Sequence, residues 1–141
     1  MTVSVALPQA RLFSGAAAMI SLPAASGDMG VTPGHAPTVA QLRPGVVEVR
    51  PGEGTAAADD AGKARRWFVS GGWAFVHADS RVDVVAAEGC DVADIDAAEA
   101  GRLLNEATAA ASGGGKTDLE TAEALVAQEV YTEMVAAAAG N

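Results

Sequence analysis

The sequence has few of the residues on which covalent or catalytic chemistry depends. Its 141 residues include one cysteine, Cys90, which excludes an intramolecular disulfide. The two histidines, His35 and His77, together with that thiol fall short of the four ligands of a zinc site. Large side chains are also scarce, since 33 residues are Ala and 16 are Gly against six aromatics. Burying Ala contributes little compared with roughly 1.5 to 3 kcal/mol for Leu or Phe, so we expect this chain to depend on partners.

Positive charge and long apolar runs are lacking as well. Nine basic residues stand against 18 acidic ones, a formal net charge of -9, which makes nucleic acid and anionic lipid poor partners. Charged residues interrupt the first apolar stretch before it reaches the roughly 20 residues that span a bilayer. The first residues show neither the basic start of a signal peptide nor the Arg-rich character of a transit peptide. These absences predict a soluble, cytoplasmic protein.

The distribution of charge and proline divides the chain near Cys90. Residues 1–90 carry 7 basic and 8 acidic side chains, whereas residues 91–141 carry 2 basic and 10 acidic ones, a net charge of -8. All six prolines lie in the first part, where they disfavour long helices. We therefore predict two domains, 1–90 and 91–141.

Residues 1–90 show the period-two alternation of short β-strands between Gly- and Pro-rich turns. The predicted strands are 18–22, 46–50, 73–77 and 82–86. The predicted turns are 24–30, 32–37, 43–45, 70–72 and 78–81. The stretch 51–66 lacks periodicity, and we expect an exposed loop there that is longer than a hairpin needs. Short strands at this spacing favour an antiparallel sandwich or barrel.

Residues 91–141 change to a helical period. Asp96 with Glu99, and Thr117 with Glu120, have the spacing of capping boxes at helix starts. The Gly-rich segment 112–115 separates the two predicted helices, which makes a helical hairpin. The apolar stripes are Ile95, Leu103, Leu104, Ala107 and Ala111 on the first helix, and Ala122, Val126, Val130, Met134 and Ala138 on the second. Because both stripes are rich in Ala, we predict a closely packed but mobile hairpin.

The densest cluster of turn-forming residues is 27–37, which contains one acid and one imidazole. A phosphate-binding loop would need a Gly-Lys-Ser/Thr ending and a following helix, and both are missing. Asp28 and His35 have no Ser or Cys nucleophile at a turn and no second carboxylate beside them, so catalysis is disfavoured. The pattern favours a rigid turn between strands, and a loop shaped to dock on a protein is the alternative.

Other single residues favour structural roles. The segment 70–72 lacks the Gly-x-Ser-x-Gly frame of a nucleophile elbow and predicts a tight hairpin turn. Cys90 has acidic neighbours and is interpreted as a small packed residue, not a reactive thiol. Trp67 and Trp73 are interpreted as core or interface anchors.

Five short segments, taken in order, carry a family resemblance. They are Leu12-Phe13-Ser14-Gly15, Gly27-Asp28-Met29-Gly30-Val31, Pro33-Gly34-His35-Ala36-Pro37, Leu42-Arg43-Pro44-Gly45 and Val69-Ser70-Gly71-Gly72. Their order and spacing, with the strand-then-helix layout, resemble the ε subunit of F-type ATP synthases over nearly the whole chain. The resemblance implies a mainly β fold with added α-helices. In that fold an N-terminal antiparallel β-sandwich of about ten strands is followed by a C-terminal two-helix hairpin.

The resemblance also implies a function. It is that of a non-catalytic subunit in the central stalk of the proton-translocating enzyme, coupling the γ subunit to the membrane c-ring, with no cofactor and with catalysis in other subunits. Asp28, Met29 and Gly30 correspond to the c-ring contact, and His35 and Pro37 to the face on γ. The hairpin would reach the α and β subunits. The implied location is peripheral, on the cytoplasmic face of the bacterial inner membrane.

The helical part departs from the family at its ATP-binding signature, which has the form Ile/Leu-Asp-x-x-Arg-Ala. The matching residues Ile95, Asp96 and Ala100 surround Glu99, which stands where the family has arginine. An acid would repel phosphates, so we predict weak or absent ATP binding. Residues 117–141 contain no Lys or Arg, and an acidic hairpin would be repelled by the acidic segment of β. We therefore predict a weak or absent inhibitor of ATP hydrolysis.

Two other classes remain open from the sequence. A stand-alone β-sandwich that binds a ligand or acts as an adaptor would not need the acidic hairpin and would be indifferent to γ. A small enzyme would need a polar pocket with perturbed acids, which the sequence does not display. The mitochondrial homologue is disfavoured by the start of the chain, and the Ala- and Gly-rich composition suits a GC-rich bacterial genome.

Overall fold

The computed structural model describes residues 1–52, 62–114 and 117–140. In chain order the elements are β1 (Thr2–Ala6), β2 (Arg11–Ala16), β3 (Met19–Ala24), β4 (Gly27–Val31), β5 (Thr38–Leu42), β6 (Gly45–Arg50), β7 (Arg65–Val69), β8 (Gly72–Val76), β9 (Arg81–Ala86), β10 (Gly89–Asp91), a short 3-10 helix (Val92–Asp94), α1 (Ala97–Ser112) and α2 (Asp118–Ala139). The chain divides into two compact units, Met1–Cys90 and Asp91–Asn141. Among the residues just named, neither helix is long and apolar enough to cross a bilayer.

The strands form one continuous sheet that curls into a sandwich. Their order is β10-β7-β6-β3-β5-β8-β9-β1-β2, with β4 added on β3. β1 runs parallel to β9. The antiparallel pairs are β1–β2, β3–β4, β3–β5, β3–β6, β5–β8, β6–β7 and β8–β9. β2 and β7 lie near opposite ends of this order, yet the rings of Phe13 and Trp67 are 5.6 Å apart. The two ends of the sheet therefore close on each other, and the antiparallel sandwich predicted from the sequence is confirmed with one parallel pair in it.

The core of the sandwich is built mainly from valine. Inward-facing residues of the strands form a single buried cluster, and in β1, β6 and β9 they are every second residue, as the pleat requires. Its larger members are Val3, Val5, Ile20, Leu22, Val31, Leu42, Val47, Val49, Trp67, Val69, Val76, Val82 and Val84. Valine is stiff at χ1 and suits a strand, so this core needs few aromatic side chains. Burial of each valine contributes roughly 1.5 kcal/mol or more, which makes the sandwich the better stabilised of the two units.

The predicted strands match β3, β6, β8 and β9 within two residues, but the predicted turn at 24–30 is wrong. Gly27–Val31 is the strand β4, and the turn is confined to residues 25–26. β4 pairs with β3 in full register, from Ala24 opposite Gly27 to Ile20 opposite Val31. Glycine weakens a strand without ending it, and both Gly27 and Gly30 are paired with residues of β3.

Two other expectations about the loops need correction. The turn at 70–72 is not a hairpin, because β7 pairs with β6 and β10 whereas β8 pairs with β5 and β9. A Gly-rich turn shows where the chain bends, and it does not show which strands pair. The loop predicted at 51–66 ends earlier than expected, since Arg65 and Arg66 begin β7. Its central part, 53–61, lies outside the described residues.

The helical unit begins with two well-formed N-caps. The carboxylate of Asp96 accepts hydrogen bonds from the backbone N–H groups of Ala98 and Glu99 at the start of α1. At the start of α2, Thr117 and Glu120 form the predicted capping box. The capping box predicted at Asp96 and Glu99 lacks its second bond, from the backbone N–H of Asp96 to the side chain of Glu99. The carboxylate of Glu99 instead accepts a hydrogen bond from Arg102. α1 and α2 pack against each other, so the helical hairpin is confirmed.

The apolar stripe predicted on α2 is wrong at its beginning. Ala122 and Val126 are exposed, whereas Ala124 and Ala137 are the buried residues of this helix. An α-helix turns about 100° per residue, so positions four apart drift by about 40° at every step. A stripe of five such positions sweeps about 160° around the helix and cannot stay on one contact face. The apolar stripe predicted on α1 agrees better with the structure, since Ala107 is buried and Leu103 and Leu104 are half-buried.

Candidate functional site

One end of the sandwich carries an ion pair at the tip of the β3–β4 hairpin. Asp28, the second residue of β4, lies opposite Pro23 of β3. Its carboxylate accepts a hydrogen bond from Arg43 Nη2 at 2.6 Å, and the two side chains are 77% and 34% exposed. Arg43 also donates from Nη1 to the carbonyl of Pro44 at 3.1 Å. The pair therefore links the β3–β4 hairpin to the β5–β6 connection at the surface.

The connections around this ion pair are tied together through their backbones. Arg43 N–H donates to the carbonyl of Pro23 at 2.9 Å, and Ala25 N–H donates to the carbonyl of Gln41 at 2.8 Å. At the same end, Ser70 N–H donates to the carbonyl of Glu88 at 3.1 Å. Because backbone bonds join neighbouring connections, this end of the sandwich is stiff.

The other two residues predicted with Asp28 are placed differently. Met29 is half-buried and packs against the hydrophobic core. Gly30 is exposed, and a Cβ added to it would lie 2.6 Å from the terminal methyl of Met19. Of the three predicted contact residues, Asp28 is therefore the one with an exposed charged group.

The loop between β4 and β5, residues 32–37, holds His35 and Pro37. His35 Nδ1 donates to the carbonyl of Ala36 at 2.7 Å, and Gly34 N–H donates to Ser80 Oγ at 2.9 Å. The second bond ties this loop to the turn between β8 and β9. His35 and Asp28 thus have different hydrogen-bond partners.

The outer surface of β5, β8 and β9 is an apolar face that sequence reasoning missed. Val39 is 65% exposed, Trp73 47%, Phe75 37% and Val85 47%. Val39 lies opposite Phe75, and Trp73 lies opposite Val85, so the four side chains share one side of three adjacent strands. Large exposed apolar groups that are contiguous mark an interaction surface. We call these four residues the apolar face.

The signal for the apolar face was present in the sequence. In β8 the residues alternate between Ala74 and Val76, which are buried, and Trp73 and Phe75, which are exposed. A strand with one solvated face would carry polar side chains at the outward positions. The outward positions of β8 instead carry Trp73 and Phe75, which are large and apolar.

Charged groups border the apolar face at one end. His77 Nε2 lies 2.8 Å from Asp83 Oδ2, and Arg81 Nε lies 3.4 Å from the same oxygen. Asp83 is opposite Phe75 in the register of β8 and β9. A polar rim beside an apolar centre is the usual anatomy of a protein interface.

The start of α1 places the residues of the degenerate ATP signature. The carboxylate of Asp96 caps the N-terminus of α1, Ile95 precedes the helix, and Ala100 is buried. Arg102 donates to both carboxylate oxygens of Glu99 and to Glu106. The hydrogen bond from Arg102, with its positive charge, lowers the pKa of Glu99, and the two acids raise the pKa of Arg102. Arg102 is therefore hydrogen-bonded to two acids of its own helix.

Within the described residues, no group of three or more His, Cys, Asp or Glu side chains could hold a metal ion.

Comparison with known proteins identifies the sandwich. Residues 1–90 match a family model described as the ATP synthase Delta/Epsilon chain, beta-sandwich domain. This chain belongs to the ATP synthase δ/ε family. The family predicted from the sequence is confirmed, and so is its fold.

Relatives of the δ/ε family match over nearly the whole chain. The ATP synthase subunit delta', mitochondrial, of Ipomoea batatas is 38% identical over 99% of this chain and 66% of its own length. The ATP synthase epsilon chain of Maricaulis maris is 37% identical over 92% of this chain and 91% of its own length. A chain in the Euglena gracilis mitochondrial ATP synthase structure, described as OSCP/F1/c-ring in rotational state 1, is similar with a TM-score of 0.81. The two chains are 26% identical, and the match covers 96% of this chain and 79% of the Euglena chain. The chain spans just under two thirds of the Ipomoea protein.

Proposed function

We propose that this δ/ε-family chain is a non-catalytic subunit of the ATP synthase central stalk that joins the γ subunit to the c-ring. The family membership and the Euglena assembly, which contains F1 and a c-ring, support this role. The subunit would be peripheral, on the cytoplasmic face of a bacterial inner membrane. The match to the Maricaulis maris ATP synthase epsilon chain, over 91% of its length, supports an ε-type subunit.

The apolar face is the observation that carries the proposal. Four large apolar side chains on β5, β8 and β9 are exposed in the isolated chain, and each square ångström covered would contribute about 25 cal/mol. We assign this face to γ. His35 and Pro37, proposed for the same contact, precede β5, and their loop is tied to the β8–β9 turn beside the face. Trp73 is the expected anchor, because tryptophan is enriched among residues that dominate binding energy.

Co-purification with γ tests this assignment. Trp73→Ser removes the anchor and is expected to weaken γ binding at least tenfold, since truncation of such anchors costs about 2 kcal/mol or more. Val126→Ser on α2 is the matched control, because Val126 is comparably exposed and lies outside the sandwich. Equal γ binding by both variants and the unmodified chain would contradict the assignment. It would instead support a stand-alone sandwich that binds a different ligand.

The ion-paired end of the sandwich is proposed to meet the c-ring. Asp28 presents its carboxylate there, and the backbone ties around it make a stiff end that can transmit torque. Met29 and Gly30 support the hairpin that holds it. Asp28→Lys in the assembled enzyme is expected to reduce ATP-driven proton pumping relative to hydrolysis. Asp94→Lys, which reverses the charge of an exposed acid outside the sandwich, is the matched control expected to pump normally.

The helical hairpin is proposed to bind ATP weakly or not at all and to be a weak or absent brake on ATP hydrolysis. Its net charge of -8 opposes docking on acidic segments of β. Glu99 stands at the arginine position of the signature and holds Arg102 by two hydrogen bonds. ATP hydrolysis by the assembled enzyme should be equal with the full chain and with a version ending at Cys90. A several-fold faster rate after truncation would contradict the weak brake.

A further inference from the structure

Ser80, the last residue of the turn between β8 and β9, has a backbone conformation that residues with side chains rarely adopt. Its φ is +60°, and within the part of the chain that the structure describes it is the one non-glycine residue with a positive φ. Such a conformation costs free energy and persists where the surrounding structure fixes it. Glycine is the usual residue at the left-handed position of a hairpin turn. The presence of serine here therefore needs an explanation.

Backbone hydrogen bonds hold Ser80 in place. Its N–H donates to the carbonyl of His77 at 3.2 Å, and its own carbonyl accepts from the N–H of Thr2 at 3.1 Å. The N–H of His77 donates to the carbonyl of Arg81 at 2.8 Å, which closes the turn. The side chains of His77 and Arg81 both approach Asp83 of β9. The turn is therefore fixed beside the apolar face.

The hydroxyl of Ser80 ties the loop 32–37 to this fixed turn. Within the loop, the N–H of His35 donates to the carbonyl of Thr32 at 3.2 Å, and Gly34 between them has φ +83°. The N–H of Gly34 takes no part in that bond and donates instead to Ser80 Oγ at 2.9 Å. All residues of the loop are exposed or half-buried. Among the described residues, this is the one hydrogen bond that joins the loop to another part of the chain.

We infer that Ser80 is a positioning residue for the γ contact, because its hydroxyl holds loop 32–37 in one conformation beside the apolar face. His35 and Pro37 are then in place before γ binds. The inference rests on the proposed contact between this face and γ. A loop that is ordered beforehand loses less conformational entropy on binding. Glycine at position 80 would relieve the backbone but could not accept the bond from Gly34, which accounts for serine at a positive φ.

Measurement of ¹⁵N relaxation in the full chain without γ tests whether Ser80 orders the loop. Ser80→Gly removes the acceptor, so the order parameters of Gly34 and His35 are expected to fall from the rigid range near 0.85 to below about 0.6. Ala78→Gly is the matched control, because it adds a glycine at an exposed position of the same turn and keeps the Ser80 hydroxyl. Unchanged order parameters in Ser80→Gly would overturn the inference.

Titration of the same variants with γ tests whether the ordered loop contributes to binding. Ser80→Gly is expected to weaken γ binding about three- to tenfold, the effect of one neutral hydrogen bond. Ala78→Gly is expected to bind γ as the unmodified chain does. Ser80→Asn is expected to restore loop order and affinity, because asparagine tolerates a positive φ and its side-chain oxygen can accept from Gly34. The urea midpoint of Ser80→Gly should match that of the unmodified chain, since the relieved backbone offsets the lost bond.

Three results of the titration would overturn the inference. They are normal γ binding by Ser80→Gly, a loss in Ser80→Asn as large as in Ser80→Gly, and a joint fall of affinity and urea midpoint, which would show a purely structural role. Trp73→Ser distinguishes these results from failure of the proposed function. Normal γ binding by Trp73→Ser would show that the assignment of the apolar face is wrong and that the inference falls with it. Weak binding by Trp73→Ser with normal binding by Ser80→Gly would keep that assignment and overturn only the role of Ser80.

Discussion

Gly72 is the position where a single added methyl group is expected to do most damage to the sandwich. It opens β8 with φ +153°, and a Cβ there would lie 2.1 Å from the carbonyl oxygen of Val85 and 2.8 Å from Cα of Ala86. Both are backbone atoms of the paired strand β9, so they cannot move without separating the two strands. Gly71 has φ +132°, but the nearest atom to its Cβ, the carbonyl oxygen of Leu42, is 3.4 Å away.

The two adjacent glycines therefore separate backbone strain from steric overlap. Gly71→Ala is expected to cost about 1 to 3 kcal/mol, the usual range for a residue forced into a glycine-only region. Gly72→Ala adds to this the displacement of β9 by about 1 Å. We expect a further 2 kcal/mol or more from overpacking and from one or two weakened backbone hydrogen bonds.

Urea unfolding followed by tryptophan fluorescence measures the difference. Trp67 and Trp73 both lie in the sandwich, so the signal reports on this unit and not on the hairpin. The expected order of stability is the unmodified chain, then Gly71→Ala, then Gly72→Ala. If Gly72→Ala were as stable as Gly71→Ala, the close approach of β8 to β9 would be refuted as the reason for glycine at this position.

Three further predictions follow from the caps and the exposed ion pairs. Thr117→Ala should destabilise α2 by about 1 kcal/mol, seen as faster amide exchange in its first turns, whereas Thr132→Ala should affect only its middle turns. The pKa of Glu99 is lowered from its ordinary value of 4.5, so its stabilising contribution is present above pH 4.5 and is lost as the pH falls below that value. Helicity measured against pH should therefore decrease at the acid end, and Glu99→Gln should flatten that part of the curve; an unchanged curve would contradict the role of Arg102. Asp28→Asn should change the free energy of unfolding by less than about 1 kcal/mol, because its ion pair with Arg43 is largely exposed, and a larger loss would show a structural role.

The sequence predicts well the features that depend on neighbouring residues, and it predicts poorly the features that depend on residues far apart in the chain. In β6, Gly45–Arg50, alternation with buried valines is a local property, and it placed the strand correctly. The pairing of β7 and β8 is a property of the whole sheet, and the local turn at 70–72 suggested the wrong neighbours. Gly27–Val31 was misassigned because its glycines suit a turn equally well. Its pairing with β3 over all five residues shows that it is a strand.

The candidate site was predicted less completely than the fold. Asp28 was proposed because the family resemblance pointed to it, and its pairing with Arg43 needed the structure. The outward Trp73 and Phe75 of β8 were visible in the sequence, but the pairing of three strands that joins them with Val39 and Val85 into one face needed the structure. The drift of the predicted stripe on α2 shows the same limit, since an interval of four residues is only near the true period of the helix.

The parallel pairing of β1 with β9 sets the order in which this protein can fold during synthesis. Thr2 lies opposite Arg81 and Ala6 opposite Val85, so the first strand made must wait for the ninth before it gains this neighbour. Contacts this distant along the chain are slow to form, because closure of a long loop precedes any gain from packing. The nascent chain can meanwhile pair β1 with β2 and pair the strands from β3 to β8 among themselves, since both strands of each of these pairs are already made. The sandwich therefore becomes complete only after β10 has been synthesised, just before the acidic helices follow in the chain.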